Sequence, residues 1–196
     1  MDKHKELDLL YQRTQQILAP HVRFGQVVFG TGDPDAPLCL VGEAPGKNEA
    51  EQGVPFVGQA GKNLDALLAA HGISRNDVYI TNIVKYRPVS AGAKPGTFRN
   101  RTPKREELSL CRSLLMEELQ ILSPKVVATL GNSPLHAITQ DSQIVIGEVH
   151  GAPLELGDLP FILVPLYHPA SVIYNRELQP TLDRDLESVA QLLRSL

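Results

Sequence analysis

Three side chains capable of polar chemistry stand where short apolar runs stop. Glu43 follows Leu38-Cys39-Leu40-Val41-Gly42, Asn82 follows Val78-Tyr79-Ile80-Thr81, and His168 follows Phe161 to Tyr167. Such runs, bounded by turn residues, read as buried strands. Ligands of open α/β sheets bind at the carboxyl ends of strands. If the strands are parallel, a carboxylate, an amide and an imidazole therefore gather along one edge. The amide can offer an acceptor and donors to a planar heterocycle. Pro169, directly after His168, holds the backbone extended there. Phe56, within Pro55-Phe56-Val57-Gly58, presents an aromatic face on which a base could stack. The other five histidines fall near termini, helix ends or small residues and read as surface or hydrogen-bonded groups.

The elements that position these groups alternate between strand and helix. Leu7, Leu10, Tyr11, Thr14 and Leu18 predict a helix over 3–19 that Pro20 ends. A Gly-rich connection (29–34) leads to the strand at 38–41. A second helix carries Leu64, Leu67 and Leu68, with Gly72 as its C′ residue. A third is expected to start with Thr102 as N-cap and Pro103 at N1, and to run to Ser123-Pro124. A strand at 126–130 and a short helix after Asn132 follow. Residues 144–156 read as a hairpin or irregular insertion, and Leu182, Leu186, Val189 and Leu193 line a last helix. Alternation of this kind implies a parallel sheet covered on both faces.

Size and composition bound the problem. A chain of 196 residues with 42% hydrophobic residues is expected to form one domain, 1–196, with a single core. No apolar run approaches the roughly 20 residues that span a bilayer, and no secretory signal is visible. Two cysteines build no disulfide framework, so a reducing, cytoplasmic setting is expected. Cys39 and Cys111 read as small buried hydrophobes. The net charge of −3 argues against indiscriminate coating of nucleic acid. Yet seven basic residues lie from Lys85 to Arg105 with no acidic residue between them. This Pro- and Gly-containing stretch reads as a long loop and a phosphate-contacting surface. Gly42-Glu43-Ala44-Pro45-Gly46-Lys47-Asn48 is not a Walker A loop: it has three residues between the glycines rather than four, and Asn replaces the hydroxyl. No Gly-x-Ser-x-Gly elbow and no His-Glu-x-x-His helix is present.

Four blocks in matching order carry a family resemblance. Residues 42–49 with 53–61 resemble the first motif of the family 4 uracil-DNA glycosylases. Thr81-Asn82-Ile83-Val84-Lys85 and Arg101-Thr102-Pro103 resemble later blocks, and Tyr167-His168-Pro169-Ala170-Ser171 resembles the second catalytic motif. The resemblance implies a three-layer α/β/α fold with a four-stranded parallel sheet. It also implies hydrolysis of the N-glycosidic bond of uracil in DNA, leaving an abasic site. On that resemblance Phe56 stacks on the flipped uracil and Asn82 reads its polar edge. His168 stabilises the leaving base, and Glu43 positions the sugar or the attacking water. The backbone of Gly42, Ala44, Pro45 and Gly46 walls the pocket. Lys85, Arg87, Arg99, Arg101 and Ser171 are the expected DNA contacts.

The chain also departs from the family pattern. The family holds an iron–sulfur cluster on four cysteines. Here residues 1–30 contain no cysteine, Tyr86 stands where the family has one, and only Cys111 matches a ligand. No cluster and no metal are expected, because one thiolate cannot hold a cluster that needs four. Ala44 supplies no carboxylate where other glycosylase families place Asp. Tyr174-Asn175 replaces a Leu-Arg pair, which could alter DNA insertion or base preference. A monomer acting on uracil-containing DNA is expected. The alternatives are a glycosylase for hypoxanthine or xanthine and a non-catalytic nucleic-acid-binding relative.

Overall fold

The computed structural model describes residues 2–157 and 159–196. The apolar runs become the middle of a five-stranded sheet, because alternate side chains along each strand feed two separate cores. In β2 (Leu38–Gly42), Leu38 and Leu40 face one core, while Cys39 and Val41 face the other. Beside it lie β3 (Tyr79–Asn82), β6 (Val126–Leu130) and β7 (Ile162–Leu166), all mutually parallel. Every residue of β2, β3 and β6 is buried, as a parallel sheet covered on both faces requires.

The first core is covered by α1 (Lys3–Leu18), α4 (Arg105–Leu122) and α5 (Asn132–Thr139). The second is covered by α3 (Gln59–Ala70), the one-turn α7 (Ser171–Tyr174), which supplies Val172, and α8 (Gln179–Ser195). With β1 (Thr31–Gly32) at one edge, the order β1-β3-β2-β6-β7 places the first crossover to one side of β2 and the later ones to the other. The sheet therefore has its switch point beside β2, where crevices form at the carboxyl ends.

Several expectations are corrected. The sheet has a fifth strand, β1 (Thr31–Gly32), which pairs antiparallel with β3 inside the Gly-rich connection. Two residues are too few to show any periodicity. The basic segment is not an open loop. It contains β4 (Val89–Ala91) and β5 (Phe98–Asn100), paired as a hairpin. Helix α4 begins at Arg105 rather than behind a Thr102 cap, because Glu107 reaches back to accept the Lys104 backbone N–H at 2.7 Å. Residues 144–156 hold a one-turn helix, α6 (Ile146–Val149), and a single bridge from Leu154 to Leu163. No described helix is long and apolar enough to cross a membrane.

Candidate active site

A cavity of about 330 Å³ opens at the carboxyl ends of β2, β3 and β7, within the range of small-molecule sites. Ala44, Gly46, Phe56, Asn82 and His168 line it, so the three strand ends meet as their placement implied. Gly42 is not on the lining but lies against two groups that are, Asn82 and Phe56. A Cβ there would lie 2.3 Å from Asn82 Oδ1 and 2.6 Å from the Phe56 ring, so any larger residue at 42 would displace both groups. Backbone bonds from Ile83 N–H to Gly42 O and from Val84 N–H to Glu43 O lock the two strand ends together.

Phe56 is held in the left-handed region, at φ 54°, where a side chain other than glycine is disfavoured. Two neighbours hold it there. Gly61 of α3 packs so closely that a Cβ would sit 1.7 Å from the Phe56 carbonyl oxygen. The Arg75 guanidinium donates to the carbonyls of Pro55 at 2.7 Å and Phe56 at 3.2 Å, and itself pairs with Asp65. The ring stacks toward His168 with 5.9 Å between centroids.

His168 has its tautomer fixed by the turn that carries it. The Ala170 backbone N–H donates to Nδ1 at 3.0 Å, so a neutral ring carries its proton on Nε2. Burial lowers the imidazole pKa to about 4, which keeps the ring neutral at pH 7. The turn is tied to α3 because the Asn63 side-chain amide donates to the Pro169 carbonyl at 3.2 Å. Gln59 in turn donates to Asn63 Oδ1. Asn82 is 3% exposed, and its amide faces the cavity.

The carboxylate at the cavity is not the one the sequence suggested. Glu43 does not line the cavity; its Oε2 accepts from the Ser133 hydroxyl near the start of α5. Pro45 is likewise absent from the lining. Glu49, from α2 (Lys47–Gln52), does line it. Its Oε1 accepts from the Gly58 N–H at 2.9 Å, joining the two halves of the first motif. Its other oxygen would lie 2.7 Å from a Cβ on Gly46. Glu49 was visible in the same motif but follows no strand end. Asn100, also on the lining, comes from the unforeseen hairpin and gave no sequence signal.

The expected DNA contacts divide. Arg99 is exposed, and Arg87 donates from Nε to Asn100 Oδ1 at 2.7 Å. Lys85 is corrected: it is 2% exposed, with Nζ on Glu118 and Thr81, and cannot reach a ligand. Arg101 is paired with both oxygens of Glu107. Ser171 has its hydroxyl shielded from solvent and without a partner among the described residues.

Of the other histidines, His71 meets Asp183, His136 meets the Ile144 carbonyl and His150 meets Asp185, while His4 and His21 are exposed or nearly so. The two cysteines are both buried free thiols. Burial raises the pKa of Cys111 to about 11 and that of Cys39 further. Tyr86, at the position of a family ligand, donates its hydroxyl to Glu107. These residues do not fit a four-thiolate cluster. No cluster of metal-binding side chains occurs among the described residues.

The family model described as the Uracil DNA glycosylase superfamily matches residues 29–194. The chain is 36% identical to a type-4 uracil-DNA glycosylase of Thermotoga maritima over 177 residues, covering 89% of this chain and 86% of the relative. It is 34% identical to one from Archaeoglobus fulgidus, covering 83% and 80%. A DNA polymerase of Bacillus phage SP01 is 31% identical over 84% of this chain, a stretch that makes up 16% of that protein. Extent and identity together show that the chain belongs to the uracil-DNA glycosylase superfamily.

Proposed function

We propose that this chain is a monofunctional glycosylase that hydrolyses the N-glycosidic bond of uracil in DNA, leaving an abasic site. The observation that carries the reading is a neutral His168, its proton on Nε2, stacked toward Phe56 on the lining of the 330 Å³ cavity. A base inside a duplex must leave the stack to enter it, at a cost of a few kcal/mol. Phe56 then stacks on the ring, and the Asn82 amide pairs with its polar edge.

As the C1′–N1 bond breaks, its electron pair moves onto the uracil, and positive charge develops on the sugar. The Nε2–H of His168 donates to the charged carbonyl oxygen of the departing base. A donor fixed before the reaction lowers the barrier most where charge develops. Water adds to C1′, and its proton leaves with the base or to solvent. Ala44 offers no carboxylate to this water. The free oxygen of Glu49 is the anionic group of the lining, and we assign it to the sugar face. Glu43 acts at one remove, orienting the start of α5 through Ser133. Arg87 and Arg99 contact the DNA backbone beside the cavity.

The same reading makes residues 1–196 one domain acting as a cytoplasmic monomer without an iron–sulfur cluster. Purified protein should contain no stoichiometric iron. Incubation with single- and double-stranded DNA bearing one uracil should release the free base. Binding without release from either strand would overturn the enzymatic reading in favour of a nucleic-acid-binding relative. Release from inosine or xanthosine DNA alone would reassign the base.

A further inference from the structure

A second polar cavity, of about 190 Å³, lies where residues 20–23, the segment after β3 and the start of α4 meet. Its walls bring together His21, Arg23, Arg87, Arg101 and Lys104 with one carboxylate, Glu107. That carboxylate is fully committed. It accepts from Arg101 on both oxygens at 2.6 and 2.7 Å, from the Lys104 backbone N–H at 2.7 Å, and from the Tyr86 hydroxyl at 3.0 Å. Arg101 and Glu107 thus neutralise one another.

The remaining cations are Arg23, Arg87 and Lys104, none of which makes an ion pair among the described residues. Arg87 uses its Nε on the neutral Asn100 amide, which leaves its two terminal nitrogens unpaired by any carboxylate. Three like charges around a concave polar space repel one another, and an anion placed between them reverses the sign of that energy. A guanidinium fork matches the geometry of phosphate oxygens. Asn100 lines the first cavity and Arg87 the second, so the hydrogen bond between them ties the two walls together.

We infer that this second cavity takes a phosphate group, a backbone phosphodiester of the strand whose base enters the neighbouring cavity. The inference rests on the glycosylase reading for the identity of that strand, but not for the anion site itself. It adds Arg23 and Lys104, from opposite ends of the fold's first half, to the DNA-facing surface.

The test is a single-stranded oligonucleotide with one uracil, in which each phosphodiester in turn is replaced by a neutral methylphosphonate. Binding is followed by fluorescence anisotropy. One position near the uracil should weaken binding by the wild-type protein more than the others do. Against Arg23→Ala/Lys104→Ala, that same replacement should cause little further loss. The salt dependence of binding should fall by about 0.7 in logarithmic slope for each phosphate contact removed. Both side chains are exposed, so the variant is expected to fold. A uniform loss along the strand, or a double variant that binds as the wild type does, overturns the proposal. So does saturable binding of inorganic phosphate, seen at the Arg23 and Arg87 side-chain resonances, without any special strand position. Uracil release by the wild type is scored on the same oligonucleotide. Position-specific binding without release would overturn the enzymatic reading and leave the phosphate site standing.

Discussion

Asn82 and Lys85 lie three residues apart at the end of β3, and the protein uses them in opposite ways. Asn82 turns its amide into an open cavity. Lys85 turns inward to a closed network in which its ammonium meets Glu118 and Thr81, each at 2.5 Å. Tyr11 donates to the same Glu118 at 2.7 Å and is bonded to Tyr79. Glu118 is fully buried, and desolvation, reinforced by its charge, holds both tyrosines far above their ordinary pKa. A polar group with all its partners inside the fold is committed to structure. One that lacks partners at a cavity wall is available to a ligand.

Substitutions on the two sides of that divide should separate stability from turnover. The largest effect is expected at Lys85→Met, which strands the Glu118 charge in the core. It should lower unfolding free energy in urea by about 3–5 kcal/mol, the usual consequence of halving a buried pair. Lys85→Met/Glu118→Leu should recover most of that loss, and a single variant as stable as wild type would refute the network's closed character.

His168→Ala should do the reverse. Single-turnover uracil release should drop about 10²–10³-fold, as when one preorganised donor is removed, while the urea midpoint stays near that of wild type. A variant that loses stability but keeps its rate would end the assignment of His168 to the departing base.

The same imidazole makes a prediction about pH. Its pKa is lowered to about 4 by burial, from 6.5. Neutral His168 should therefore persist, and release should stay flat from pH 7 down to about 4, then decline. Stability runs differently. The unfolded chain takes up this proton below about pH 6.5 and the folded one only below about 4, so His168 withdraws stability as pH falls through that interval. A rate already halved near pH 6.5 would show an unshifted histidine.

A smaller effect is expected from Asn63→Leu, which removes the bond from α3 to the Pro169 carbonyl. Loss of one partly buried hydrogen bond corresponds to about 1 kcal/mol. If Asn63 positions the His168 turn, release should slow about fivefold, and the ¹⁵N signals of the His168 ring should move. Unmoved signals would make Asn63 merely a packing residue.

The cavity was legible in part because Asn82 and His168 end apolar runs. Glycine, proline and strand length announce such endings locally, and the turn residues around Phe56 mark it in the same way, so these three could be placed from short stretches. Lys85 could not. Its fate depends on Glu118, a residue 33 positions away that sits on the apolar stripe of α4 beside Leu115 and Leu119. A count of charges sees the lysine but not the partner that buries it. A carboxylate on a buried stripe was the available signal. Glu43 was expected where Glu49 stands for a related reason: strand-end position fixes where a residue starts, but not which way its side chain turns. The hairpin of β4 and β5 escaped because three-residue strands leave too little pattern to register.

The backbone at Phe56 has a thermal consequence. A left-handed conformation at a residue other than glycine costs on the order of 1 kcal/mol, and Gly61 with Arg75 absorbs that cost when the chain folds. The aromatic face we assign to stacking is therefore fixed in its backbone before any DNA arrives. In calorimetric terms, insertion of a base should carry little entropic penalty on the protein's side, and the heat released should come from the stacked face itself. Replacing Gly61 with a bulkier residue would transfer that ordering from folding to binding.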